Sequence, residues 1–229
     1  MKVLSIDTSS SSGSIALIED RRLISEWTVG DAGTHSNWLL GSIKSHLESA
    51  RCPVAAIDIF AADIGPGSFT GLRIGISTLK GLAWSTGRKV AGVSTLASLA
   101  MNIPYSRKMV CPVLDARKGE VYAALYDTVS GLPRAVLPDS VMSPDDLVKT
   151  VSEMNLGDDI IFLGSGLTAY LDIFSDALGG AKVASQPLWQ IKAANVGLLA
   201  FDRLDEAVEP AALSPIYLRK SEAELKRPS

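Results

Sequence analysis

Two aspartates and one glycine-rich corner are the residues best placed to do chemistry. Asp7 ends the apolar run 3–6, and Asp115 ends the apolar run 109–114. A carboxylate at a strand's carboxyl end can close the turn through an Asx hydrogen bond. In an open α/β sheet the same position faces a cleft beyond the strand ends. The spacing leaves both readings open. The corner reads Gly65-Pro-Gly-Ser-Phe-Thr-Gly-Leu-Arg-Ile-Gly75. It follows a strand-like run, 57–64, and opens a helix-like run, 72–85, with Ser68 and Thr70 placed to cap the first turn. Such a turn leaves several N–H groups unpaired, a cradle for an anion or for another backbone. It fits neither common phosphate pattern. No Gly-Lys pair follows as GxxxxGKS/T requires, and Thr70 stands where GxGxxG needs its third glycine. A corner that merely needs small residues is an equal reading.

No other residue set suggests catalysis. His35 and His46 are eleven positions apart, which on one helix separates them by roughly 16 Å. There is no HxxxH or HExxH pairing, so no metal site is expected, and both histidines read as surface or helix-capping residues. Serines crowd positions 9–12, but no GxSxG surrounds them, and Gly164-Ser-Gly166-Leu-Thr168 has the wrong glycine spacing.

Composition excludes several classes. The chain has 229 residues, 47% hydrophobic and 21% charged, which is ordinary for one or two globular domains. A net charge of −3 gives no overall pull toward nucleic acid or an anionic membrane, so contact with RNA needs a local basic patch or a basic partner. Cys52 and Cys111 are far apart and read as free thiols of a reducing compartment. The first seven residues are interrupted by charge too soon for a signal peptide, and no apolar run approaches membrane-spanning length. A soluble, intracellular protein is expected.

The elements that must position these residues follow one plan twice. Apolar runs at 3–6, 14–18 and 23–29, joined by short polar turns, predict an antiparallel meander. A helix over about 35–50 with Thr34 as cap, strand 57–63, helix 70–86, strand 89–93 and a short helix from Ser94 follow. The second half repeats the order: strands 109–114, 121–126 and 135–137, a helix from Ser143 and Pro144 to 154, strand 160–163, helix 167–178, strand 182–184 and helix 191–205. The reading is two α/β lobes, 1–104 and 105–219, followed by a flexible tail over 220–229. The final helix is placed so that it can pack back on the first lobe.

Helix 70–86 carries the evidence for a partner. Leu72, Ile76, Leu79 and Ala83 form one stripe, Gly71, Gly75, Thr78 and Leu82 a second, and Ile74, Gly81 and Ser85 a third, while only Arg73 and Lys80 are charged between 68 and 87. A helix apolar nearly all round is buried on more than one side. Its glycines each cost about 1 kcal/mol relative to alanine, so Gly75 and Gly81 need a compensating close approach. Packing on helix 35–50 and packing on a second protein are both open and compatible. Trp38, Leu39, Leu40 and Ile43 of that neighbouring helix join the candidate interface.

The doubled plan resembles the superfamily of actin, the sugar kinases and the heat-shock ATPases. Over nearly the whole chain it is similar to one bacterial family within it, TsaB, formerly YeaZ. The shared signatures are Ile6-Asp-Thr-Ser9, the 65–75 corner, Val93-Ser-Thr-Leu96, Asp115-Ala-Arg-Lys-Gly-Glu-Val-Tyr122 and Pro215-Ile-Tyr-Leu-Arg219. The resemblance implies ribonuclease-H-like lobes and a non-catalytic subunit. Such a subunit stabilises the catalytic paralogue TsaD as a heterodimer, works with the ATPase TsaE, and forms a homodimer when alone. Together these proteins transfer a threonylcarbamoyl group to an adenosine beside the tRNA anticodon, so this chain meets tRNA only through the complex, in the cytoplasm.

The superfamily's phosphotransferases have a first loop similar to Asp-x-Gly-Thr, whose glycine lets the backbone approach phosphates. Here Thr8 and Ser9 crowd that approach, and Ala116-Arg117 follow Asp115 where a glycine is wanted. Gly164-Ser-Gly166 sits where an adenosine-contacting turn belongs. Asp7, Thr8, Ser9, Asp115, Arg117, Gly164 and Gly166 are therefore expected to line a vestigial nucleotide cleft. No cofactor is required, with room only for weak ATP or ADP binding at the partner interface. The rival readings are a stand-alone ATPase or small-molecule kinase of this fold, and then a glycopeptidase homologue.

Overall fold

Short polar turns fold the first three strands onto one another. β1 (Lys2–Asp7) is joined to β2 (Gly13–Glu19) through the serine-rich loop 8–12, and Asp20 and Arg21, both at positive φ, turn β2 into β3 (Arg22–Val29). The chain continues through α1 (Leu39–Ser49), β4 (Ile59–Gly65), α2 (Phe69–Thr86), β5 (Lys89–Ser94) and α3 (Thr95–Ala100). The second half supplies β6 (Met109–Arg117), β7 (Glu120–Asp127), β8 (Arg134–Met142), α4 (Pro144–Glu153), β9 (Ile160–Leu163), α5 (Leu167–Ala177), β10 (Lys182–Val183) and α6 (Ala193–Phe201). This computed structural model describes residues 1–30, 33–177 and 182–219; the expected flexible tail over 220–229 lies outside the described residues.

The two sheets share one topology, β3-β2-β1-β4-β5 and β10-β9-β6-β7-β8, with the outer meander antiparallel and the remaining strands parallel. Each is a mixed sheet of the ribonuclease-H-like kind. β1 is buried from Val3 onward, as a strand covered on both faces must be. α3, every residue of which is buried, lies among β4, β5, β6 and β7, so one apolar core runs from Ala61 and Ala91 through Leu96 to Val110 and Tyr122.

α6 comes late in sequence but rests on β1, β2, β4 and β5 of the first sheet. Its only glycine, Gly197, lets the backbone sit against Ser5 and Ile18. Ser5 Oγ donates to Ala193 O at 2.6 Å, Ser14 Oγ accepts from Ala193 N at 2.8 Å, and Glu26 accepts from Ala194 N at 2.8 Å. A second tie joins the lobes nearby. Asp139 of β8 accepts from Ser94 Oγ at 2.5 Å and from Tyr126 OH at 2.6 Å.

Several boundaries differ from the sequence reading. The helix expected over 35–50 begins as a 3-10 turn, His35–Asn37, broken at Trp38, and Thr34 makes no side-chain cap bond. The turn lets His35 point inward. Ser68 alone caps α2, accepting from Gly71 N at 3.2 Å, while Thr70 lies inside the helix. β8 runs nine residues rather than three because bulged pairing with β7 carries it on to Met142. α6 stops at Phe201, and a separate 3-10 turn follows. No described helix is long and apolar enough to cross a membrane.

Candidate functional site

The first loop sits directly on the glycine corner. Ser9 O accepts from Ser68 N at 2.7 Å, and Thr8 Oγ1 donates to Gly71 O at 2.9 Å. A Cβ on Gly67 would overlap Ser9 O, one on Gly71 would overlap Thr8 O, and one on Gly75 would overlap Thr8 Oγ1. These glycines let a loop and a helix start touch backbone to backbone. The cradle expected at the corner is therefore filled by the chain's own residues 8 and 9.

Beyond this contact lies an interlobe cleft of about 890 Å³. Ser9, Ser10, Ser11, Ser68, Thr70 and Ser165 supply hydroxyls to its lining, and Arg73, Arg117, Lys118 and Arg219 supply positive charge. Of the seven residues expected here, Ser9, Asp115 and Arg117 line it. Asp115 closes its own turn, accepting from Arg117 N at 2.7 Å. Asp7 and Thr8 are buried behind the wall, and Gly164 and Gly166 pack on the backbone of Val113 and Leu114, leaving only Ser165 of that turn in the cleft. Among the described residues no cluster of three or more His, Cys, Asp or Glu could hold a metal ion.

The segment 214–219 straps the cleft mouth. Ile216 N bonds Ile64 O at 2.7 Å, Tyr217 stacks on Phe69 with centroids 4.2 Å apart, and Arg219 reaches Ala116 O at 3.1 Å and Glu120 at 3.3 Å. Arg73 donates to Tyr217 OH at 2.7 Å and lies over both rings. The strap was not singled out as a site because its partners, Phe69 and Ala116, are about 100 to 150 residues away in sequence.

The candidate interface divides. Leu39 and Ile43 are 1% and 2% exposed and belong to the core, and Gly71 and Gly75 face Thr8, so these four present no surface to a partner. Gly75 thus owes its place to the first loop rather than to a second helix. Leu40 is 58% exposed; Ile74, Thr78 and Leu82 are half-buried, Trp38 is half-buried, and Arg73 is exposed. Among the described residues nothing lies within 4 Å of a Cβ built on Gly81 or Gly41. Trp84, 73% exposed on the same helix, was missed; a tryptophan in a stretch almost without charge was the signal. Leu40 on α1 and Ile74, Leu82 and Trp84 on α2 thus leave apolar side chains exposed or half-buried on the outside of these two helices.

Three titratable sites escaped the sequence. His35 is buried, with Nε2 2.9 Å from Ser10 O, and Trp38 lies edge-on to its ring. It is neither a surface nor a capping residue, because the 3-10 turn carries it under the first loop. His46 meets Ser25 Oγ at 3.1 Å, and partial burial lowers its pKa. Asp63 of β4 stands beside Asp7. Burial raises both carboxyls, Asp63 well above the usual range, with the charge of Asp7 adding to the effect.

Comparison with known proteins places this geometry. A family model described as TsaD: tRNA N6-adenosine threonylcarbamoyltransferase matches residues 31–227. The tRNA threonylcarbamoyladenosine biosynthesis protein TsaB of Bacillus subtilis (strain 168) is 32% identical over 233 residues, covering 99% of this chain and 97% of that protein. The solved structure of YeaZ from Pseudomonas aeruginosa gives a TM-score of 0.77 at 27% identity, over 95% of this chain and 99% of that one. Component A of (R)-2-hydroxyglutaryl-CoA dehydratase from Acidaminococcus fermentans shares the fold alone, with a TM-score of 0.51 at 14% identity over 90% of this chain and 99% of that one. The chain belongs to the TsaD-like domain family and, within it, to the TsaB (YeaZ) family of tRNA threonylcarbamoyladenosine biosynthesis proteins.

Proposed function

We propose that this chain is the non-catalytic dimerisation and activating subunit of the tRNA threonylcarbamoyladenosine machinery. It binds and stabilises a catalytic TsaD subunit as a heterodimer, works with TsaE, pairs with itself when alone, and meets tRNA only within the complex, in the cytoplasm. The observation that carries the reading is the first loop seated on the glycine corner. Thr8 and Ser9 occupy with side chain and carbonyl the backbone surface that a phosphate would have to approach. The residues therefore do not fit a tightly held nucleotide, and binding of ATP or ADP is at most weak and at the partner interface. The outer face of α1 and α2 supports the partner role, since exposed Leu40 and Trp84 beside open Gly41 and Gly81 combine large anchors with room for an approaching helix.

Co-purification tests it. Tagged chain should retain TsaD from a co-expressing cell, show negligible ATP turnover alone, and raise modification of tRNA by TsaD when the two are mixed. Robust magnesium-dependent turnover by the lone chain, lost in Asp115→Ala, would support the kinase-like alternative and overturn this reading.

A further inference from the structure

Asp7 and Asp63 are adjacent on parallel strands. β1 and β4 pair with Ile6 opposite Ala62, and one step further sets the two aspartates side by side, on the same face. Asp7 is 0% and Asp63 3% exposed. One oxygen of each is satisfied. Asp7 Oδ1 accepts from Ser9 N at 2.8 Å and from Ser9 Oγ, and Asp63 Oδ1 accepts from Ser98 Oγ at 2.6 Å. The other oxygen of each, Oδ2, is buried without a donor among the described residues. Two ionised carboxylates cannot share such a site, because each raises the cost of charging the other in a medium that already penalises charge. The pair can supply the missing donor only as a carboxyl O–H.

We infer that Asp7 and Asp63 hold one proton between their Oδ2 atoms, Asp63 carrying it and Asp7 remaining the carboxylate that accepts it. The surroundings agree with one negative charge and one neutral acid. His35, from the turn before α1, acts favourably on the Asp7 charge, and Asp139 of β8 disfavours a charge on Asp63. α3 offers the Ser98 hydroxyl, α6 offers the neutral Asn195 amide behind it, and α2 offers Gly71 and Gly75. The shared proton has a structural consequence. It leaves Asp7 Oδ1 free to hold Ser9, whose carbonyl in turn receives Ser68 N at the start of α2. The proton thus holds the first loop against the corner, and this inference does not depend on the partner role.

Infrared spectroscopy of the whole chain is the direct test. At a pH where exposed carboxylates are ionised, the native protein should show the carbonyl stretch of a protonated carboxylic acid, absent from Asp63→Asn. Absence of that band from the native protein overturns the inference whether or not the variant folds. A second measurement follows unfolding against pH. The native state binds one proton more than the unfolded chain above the ordinary carboxylate range, so its folding constant should fall with rising pH by up to about tenfold per unit relative to Asp63→Asn. Parallel profiles for the two proteins would also overturn it.

Discussion

Thr8 Oγ1 donates to Gly71 O at 2.9 Å, and the same hydroxyl occupies the space that a Cβ on Gly75 would need. One side chain therefore fixes two turns of α2. It also separates the helix glycines into two kinds, those pressed against the first loop and those facing outward.

This separation predicts opposite effects of one substitution. Gly75→Ala gains about 1 kcal/mol of helix propensity but must displace Thr8, and overpacking costs about 1–3 kcal/mol. The net is a loss, expected as a lower midpoint in urea unfolding. Gly81→Ala meets no neighbour among the described residues and should raise the midpoint, by about 0.5–1 kcal/mol in stability.

The outward face should govern association. Trp84→Glu and Leu40→Asp alter exposed residues of a folded helix pair, so circular dichroism and unfolding should barely change. Affinity for TsaD should fall by at least about 2 kcal/mol, roughly thirtyfold, in a titration by calorimetry. Folded variants that bind as tightly as the parent would remove this face from the interface.

Asp139 should be costly to lose. Asp139→Ala leaves Ser94 and Tyr126 hydroxyls without their acceptor at the junction of the lobes. A buried hydroxyl without a partner costs about 1–3 kcal/mol, so thermal unfolding should shift down by several degrees. Burial, with the Asp139 charge adding, raises Tyr126 far above the usual phenol range, so this tyrosine should resist ionisation when alkaline difference spectra are recorded on folded protein.

His46 gives a pH dependence of opposite sign to the aspartate pair. Its pKa is lowered in the fold, chiefly by burial, so below the unfolded value of about 6.5 the unfolded chain binds protons that the native state refuses. Stability from this residue is present at neutral pH and is lost as pH falls below the unfolded value toward the lower folded one. His46→Gln should flatten that part of the unfolding profile relative to the parent.

The doubled order of elements was readable because each strand and helix carries its own period and turn residues. Ser143 with Pro144 marked α4, and Ser94 marked α3, through local capping chemistry. The cleft was only half readable. Asp115 and Arg117 line it, but Asp7 turned inward toward Asp63, which carries no sequence signal because its register against β1 is a pairing across 56 positions. Leu39 and Leu40 show the limit of helical spacing. Adjacent leucines diverge by about 100° on a helix, and the break at Trp38 set which of them faced the core.

α6 is encoded with the second half and lies on the first. A gene cut near residue 104 would strip Ser5, Ile18 and the strands around them of their roof, and the severed remainder would carry a greasy helix with no floor. Truncation mapping of this protein should therefore supply both pieces together, since either fragment expressed alone is expected to precipitate rather than to report on its own share of the work.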